Sequence, residues 1–238
     1  MKVLVLQHIP CEHPGIFREL LTESGVVWQA VELDAGEPIP QLEGFDALWV
    51  MGGPMDVWDE ADCPWLVPEK TAIRRWVKEL QRPYLGFCLG HQLLAAALDG
   101  QCAMQASPEI GILDVHLTEA GQRDPLFAGI EPDIRCLQWH SVEVSQPPAG
   151  AVLLASSPLC RWQAMRVGSN AYGVQFHVEL QNSTIPEWGA VPAYGEALDQ
   201  LQGPGSLGRL QADAEPYFPL FARNARQLLQ NFLGLVAV

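Results

Sequence analysis

The sequence predicts an α/β fold: an open, mostly parallel sheet with helices on both faces, plus a small antiparallel sheet. Three observations predict it. Short apolar runs alternate with helix-spaced segments through residues 2–100. Five strand-like segments separated only by turns then follow between 110 and 177. The chain returns to helical spacing after 183. Strand alternating with helix implies parallel strands joined by right-handed crossovers, and consecutive strands with short turns imply antiparallel pairing.

The elements follow in order. KVLVLQ (2–7) reads as a buried strand, and PGIFRELLTESG (14–25) as a helix whose Ile16, Leu20 and Leu21 share a face and whose Gly25 stops it. VVWQAVEL (26–33) is strand-like, and FDALWVMGG (45–53) is an apolar run ending in two glycines. PWLVPEKTAIRRWVKELQ (64–81) has helical spacing, with Ile73, Trp76, Val77 and Leu80 on the inward face. PYLGFC (83–88) is the next strand and GHQLLAAALDG (90–100) the next helix. The later strands are expected at 110–119, 134–144, 151–157, 160–168 and 171–177. YFPLFARNARQLLQNFLGLV closes the chain as a helix, and LQGPGSLGRLQADAEP before it reads as an exposed loop. The 238 residues fit one domain, 1–238, with 183–212 as a helix-and-loop elaboration.

Composition narrows the function. Apolar residues are 48% of the chain, enough for a sizeable core, yet no run of 18 or more apolar residues reads as a membrane span. The start, MKVLVLQHIPCEHPG, reads as a first strand and not as a signal peptide. Twenty-eight acidic residues against 14 basic ones give a formal charge of −14, so the average surface repels nucleic acid. The six cysteines are scattered without a C-x-x-C pair, and reduced thiols in a cytoplasmic protein are expected. No cofactor or metal site is expected.

Cys88 sits where a strand turns into a helix, with Gly86 and Gly90 at i−2 and i+2. A cysteine is as a rule a packed core thiol. The glycine bracket points instead to a nucleophile elbow, because so sharp a turn admits only small neighbours. The helix that follows aims free N–H groups and a positive dipole end at the sulfur, which favours the thiolate. The Leu89 N–H would face an oxyanion formed on attack. A cysteine nucleophile needs a base, and the base needs an orienter. In YGVQFHVEL, His177 and Glu179 lie at i and i+2 of an extended segment and project to the same side. Taken alone, such a pair is common at solvated strand ends.

Four segments resemble one family. GFCLGHQ (86–92) resembles the G-x-C-x-G-x-Q nucleophile motif of class I, triad-type glutamine amidotransferases. FHVE (176–179) is similar to their late H-x-E element, MGGP (51–54) to their oxyanion loop, and WHSVEV (139–144) to their H-S segment. The resemblance implies a flavodoxin-like fold. It also implies Cys88, His177 and Glu179 as the catalytic triad, with backbone N–H groups of Gly52, Gly53 and Leu89 for the oxyanion. It implies that Gln92, Ser141 and Val142 hold the amino-acid end of glutamine. Two departures stand out. Val178 occupies the place of the usual proline, and no Gly-Asp follows His140, so the receiver of the substrate α-amino group is not identified.

The implied reaction hydrolyses the γ-carboxamide of glutamine, or a γ-glutamyl amide, through a cysteinyl thioester and releases ammonia. No acceptor motif is present, which leaves three readings. One is a glutaminase that feeds a separate synthase subunit. The second is a self-sufficient γ-glutamyl hydrolase, and the third a non-catalytic binding member. The segment 185–210 is expected to shape a substrate pocket or a subunit contact, or simply to be a helix with a loop. Trp58 and Trp65 are candidates to line a specificity pocket or to pack in the core.

Overall fold

A computed structural model describes residues 1–236. In chain order the elements are β1 (Lys2–Gln7), α1 (Phe17–Glu23), β2 (Val27–Glu32), β3 (Ala47–Val50), α2 (Leu66–Arg75), β4 (Tyr84–Phe87) and α3 (Leu89–Ala97). Then come β5 (Gln101–Leu117), α4 (Glu119–Gln122), β6 (Asp133–Gln146), β7 (Val152–Ser156), β8 (Ala164–Val167) and β9 (Ala171–Val174). The chain ends with α5 (Thr184–Gly189), α6 (Pro192–Gln202), α7 (Ser206–Ala214) and α8 (Phe218–Val236).

One nine-stranded sheet runs β2-β1-β3-β4-β9-β8-β7-β5-β6. β2, β1, β3, β4 and β9 pair in parallel, and the rest are antiparallel. The antiparallel strands therefore continue the parallel sheet, joined through the β8–β9 pair. The parallel order 2-1-3-4 is that of flavodoxin-like sheets, whose ligands lie beyond the carboxyl ends of the strands near the β1/β3 switch point.

Alternation along each strand builds two cores. Val3, Val5, Ala47, Trp49, Leu85 and Phe87 face α1 and α8 with Phe17 and Phe232. Leu4, Leu6, Leu48, Val50 and Tyr84 face α2 and α3 with Ile73, Trp76, Leu93 and Leu94. A third cluster, centred on Trp139, Trp188, Tyr194, Leu210 and Phe221, seats α5 to α7 over the carboxyl edge of the sheet.

The structure changes some expected boundaries. The strand expected at 110–119 is the end of a 17-residue strand, because Gln101–Met104 also pair with the far end of β6. The regular part of 160–168 is Ala164–Val167, and β9 stops at Val174. The stretch expected as an exposed loop contains α7, with Ser206, Leu210 and Ala214 buried at helical spacing. Gly203 and Gly205, both at positive φ, break α6 from α7 without opening a long loop. On α1 the buried face is Phe17, Leu20 and Leu21, with Ile16 at its edge.

Candidate functional site

The site lies where β1, β3, β4 and β9 end. Cys88 follows β4 directly with φ 48° and ψ −103°, a region that side-chain-bearing residues rarely occupy. The flanking glycines are what allow this turn. A Cβ on Gly86 would overlap the Gly90 carbonyl, and one on Gly90 would overlap the Val50 carbonyl. The Cys88 N–H still reaches Val174 O at 2.8 Å, which ties the turn to β9. Cys88 is 6% exposed, at the floor of a cavity of about 230 Å³. Gly53, Asp56, Gln92, Ser141, Val142 and Tyr194 contribute to its walls.

His177 and Glu179 come from the segment just past β9. His177 Nδ1 lies 2.6 Å from Glu179 Oε1, and the other carboxylate oxygen accepts the Val178 N–H at 2.9 Å. The backbone holds this segment from both sides. His177 exchanges two hydrogen bonds with Leu137 of β6, and Glu179 O accepts the Ile16 N–H. Gly15, at φ 51°, comes so close to Glu179 O that a Cβ there would overlap it. His177 is 1% exposed. Burial opposes its charged form, but the Glu179 carboxylate and the Cys88 sulfur outweigh burial and raise its pKa well above the ordinary histidine value. With Nδ1 committed to Glu179, Nε2 is the nitrogen left for Cys88.

Gln92 is a buried residue of α3, not a helix-surface one. Its amide donates to Val142 O and to Gln175 Oε1, each at 3.1 Å, which leaves its own Oε1 as an acceptor. Gln175 in turn directs its amide at the Cys88 sulfur at 3.4 Å. Val142 O also faces His140 Nδ1 at 3.0 Å. Behind this segment, His140 Nε2 lies 3.3 Å from Glu109, whose oxygens accept from Ser157 and Gln163. Cys160 brings a third potential metal donor to within 4.8 Å of Glu109 and His140. Burial pushes its thiol pKa up, and Glu109 already spends both oxygens on hydrogen bonds. The cluster reads as a support for the Ser141–Val142 segment.

Gly53 lines the cavity, whereas Gly52 lies behind it with its carbonyl turned to His8 Nδ1 at 2.8 Å. Among the described residues, the Gly53 and Leu89 N–H groups have no protein acceptor. Both are thus available to a ligand beside Cys88. Trp58 is 46% exposed, and Trp65 packs against the α2–α3 core, so neither lines this cavity.

Several residues of the site carry no motif. Tyr194 of α6 donates to Glu12 Oε1 at 2.6 Å. Burial raises the Glu12 pKa, with His177 acting in the opposite sense. Trp188 of α5 donates to Cys11 O and stands edge-on to the His177 ring, 4.6 Å between centres. Gln175 had a detectable signal, since it lies at i−2 from His177 in the same extended run. Glu12, Trp188 and Tyr194 had none.

This geometry can deliver a sulfur nucleophile to a small carbonyl substrate, shuttle a proton through one imidazole and hold a developing oxyanion on backbone N–H groups.

The family model for glutamine amidotransferase class-I matches residues 16–187. The glutamine-hydrolyzing GMP synthase subunit of Sulfolobus acidocaldarius is 35% identical over 156 residues, 65% of this chain and 78% of that protein. The putative glutamine amidotransferase-like protein YfeJ of Salmonella typhimurium is 30% identical over 213 residues, 85% of each chain. A glutamine amidotransferase of known structure from Thermotoga maritima superposes with a TM-score of 0.86 at 25% identity, covering 98% of this chain and 97% of that one. Among the described residues no helix is long and apolar enough to cross a membrane.

Proposed function

We propose that this chain, which belongs to the class-I glutamine amidotransferase family, hydrolyses the γ-carboxamide of glutamine at Cys88 and hands the ammonia to a separate synthase chain. The observation that carries the reading is the buried Cys88–His177–Glu179 set at the floor of a small cavity. His177 takes the Cys88 proton, and the sulfur attacks the γ-carboxamide carbon of the substrate. The carbonyl oxygen becomes an oxyanion held by the Gly53 and Leu89 N–H groups. Its collapse breaks the C–N bond, and His177 passes its proton to the leaving nitrogen, which departs as ammonia. The γ-glutamyl thioester remains. His177 then takes a proton from water, the hydroxide attacks the thioester, and glutamate leaves as the sulfur regains its proton.

The cavity supports glutamine over a bulky conjugate, because about 230 Å³ is below the usual range for drug-sized ligands. The Ser141–Val142 backbone takes the α-carboxylate of the substrate, and the free Gln92 Oε1 accepts from the α-ammonium. Asp56 takes the α-ammonium. It is a carboxylate in the cavity wall that makes no side-chain ion pair among the described residues, and burial raises its pKa. A substrate ammonium placed there would satisfy both groups. The relatives named as glutamine-hydrolyzing subunits of GMP synthase support transfer of the ammonia to a partner.

The test measures ammonia from glutamine together with covalent capture of Cys88 by an electrophilic glutamine analogue, read by mass spectrometry. Capture does not depend on a partner. Cys88→Ala should lower ammonia release by more than about 10³-fold and abolish capture. Unchanged release in that variant would end the assignment. Turnover confined to larger γ-glutamyl amides, with glutamine inert and the analogue excluded, would favour a self-sufficient hydrolase instead.

A further inference from the structure

His8 and Glu69 form a buried pair that none of the motifs includes. Both side chains are 0% exposed. His8 stands immediately after β1, and Glu69 belongs to the first turns of α2. The ring bridges two partners: Nδ1 faces Gly52 O at 2.8 Å, and Nε2 faces Glu69 Oε1 at 2.9 Å. A carbonyl oxygen only accepts, so Nδ1 carries a proton. Burial disfavours charge on the ring, but Glu69 outweighs it and the His8 pKa is raised.

The consequence falls on one peptide plane. A trans peptide points its C=O and its N–H in opposite directions. With Gly52 O drawn inward to His8, the N–H of the same plane, which belongs to Gly53, is turned away from His8. Gly53 lies in the wall of the Cys88 cavity, and its N–H has no protein acceptor among the described residues. Two glycines make the loop soft enough to need such an anchor. Space restricts it further, since a Cβ on Gly53 would sit 3.0 Å from both His8 Cβ and a Leu89 methyl.

We infer that His8, held by Glu69, is the positioning residue of the oxyanion site: it fixes the Gly52–Gly53 peptide so that the Gly53 N–H meets the oxyanion. The inference rests on the glutaminase reading above. It assigns His8 and Glu69 no proton transfer with the substrate. Their effect is on the transition state alone, because the negative charge that the N–H serves does not exist in bound glutamine.

The experiment compares wild type with His8→Ala and His8→Asn by steady-state ammonia release and by iodoacetamide alkylation of Cys88. Alkylation displaces iodide at a saturated carbon and passes through no oxyanion. In His8→Ala, kcat should fall about 100-fold with KM nearly unchanged, the scale of losing one oxyanion donor. Its alkylation rate should stay within about threefold of wild type. In His8→Asn the new amide nitrogen reaches the place of Nδ1, and kcat should recover by at least about tenfold over the alanine variant. Should the alanine variant not fold, His8→Leu, closer in volume, takes its place. The inference falls if the donor-less variant keeps its kcat, if the loss is in KM, if alkylation falls in parallel, or if asparagine recovers nothing. A wild type that neither releases ammonia nor is captured at Cys88 ends the glutaminase reading, and this one with it.

Discussion

The Trp188 indole stands edge-on to the His177 imidazole, with 4.6 Å between ring centres and 73° between planes. One ring comes from α5, after the sheet, and the other from the segment past its central strand. The indole excludes water from one side of the histidine, and with water excluded the Glu179 carboxylate acts on the ring at lower dielectric. Helix α5 therefore packs directly against the His177 side of the candidate site.

Glu179 sets the protonation range of His177. Burial alone would lower the His177 pKa, and Glu179 is the first cause that raises it. In the proposed mechanism the imidazolium that donates to the leaving nitrogen is lost as pH rises through the raised pKa, so activity should fall on the alkaline side. In Glu179→Gln that alkaline limb should move to lower pH, and kcat at neutral pH should fall about 10²–10⁴-fold. Rate–pH profiles of the two proteins check this. An alkaline limb that stays in place would separate Glu179 from the titration of His177.

Gly86 lets the Cys88 turn pack against α3. A Cβ there would overlap the Gly90 carbonyl and lie 2.9 Å from the His91 N. Gly86→Ala should cost about 1–3 kcal/mol, or roughly 2–12 °C of melting temperature for a chain of this size. Gly44→Ala, whose Cβ would meet nothing within 4 Å, is the control. Equal melting temperatures for both variants and wild type would show that the elbow tolerates the added methyl.

Asp56 should reveal itself through the substrate's amino group. In Asp56→Asn the KM for glutamine should rise about tenfold, on the scale of one charge-assisted hydrogen bond. The analogue lacking the α-amino group, 4-carbamoylbutanoate, should show the same kcat/KM with both proteins. Kinetics on the two substrates settle it, and an equal loss on both would place the effect elsewhere.

The strand–helix alternation and the local grammar of the site are legible in the order of residues. Cys88 between two glycines at a strand end, and His177 two residues before Glu179, are short-range patterns that periodicity and chain stiffness expose. Gln175 was within the same reach. What surrounds these groups depends on packing in three dimensions. The antiparallel strands join the parallel sheet through β8 and β9, and α7 forms where a loop is expected because Leu210 and Ala214 find a core to cover. Tyr194 meets Glu12 across 182 positions, and His8 meets Glu69 across 61. Such pairs leave no periodic trace, since each partner is read only against its own neighbours in the chain. They acquire meaning when folding takes them out of water together, and a buried polar group must then find its partner in space.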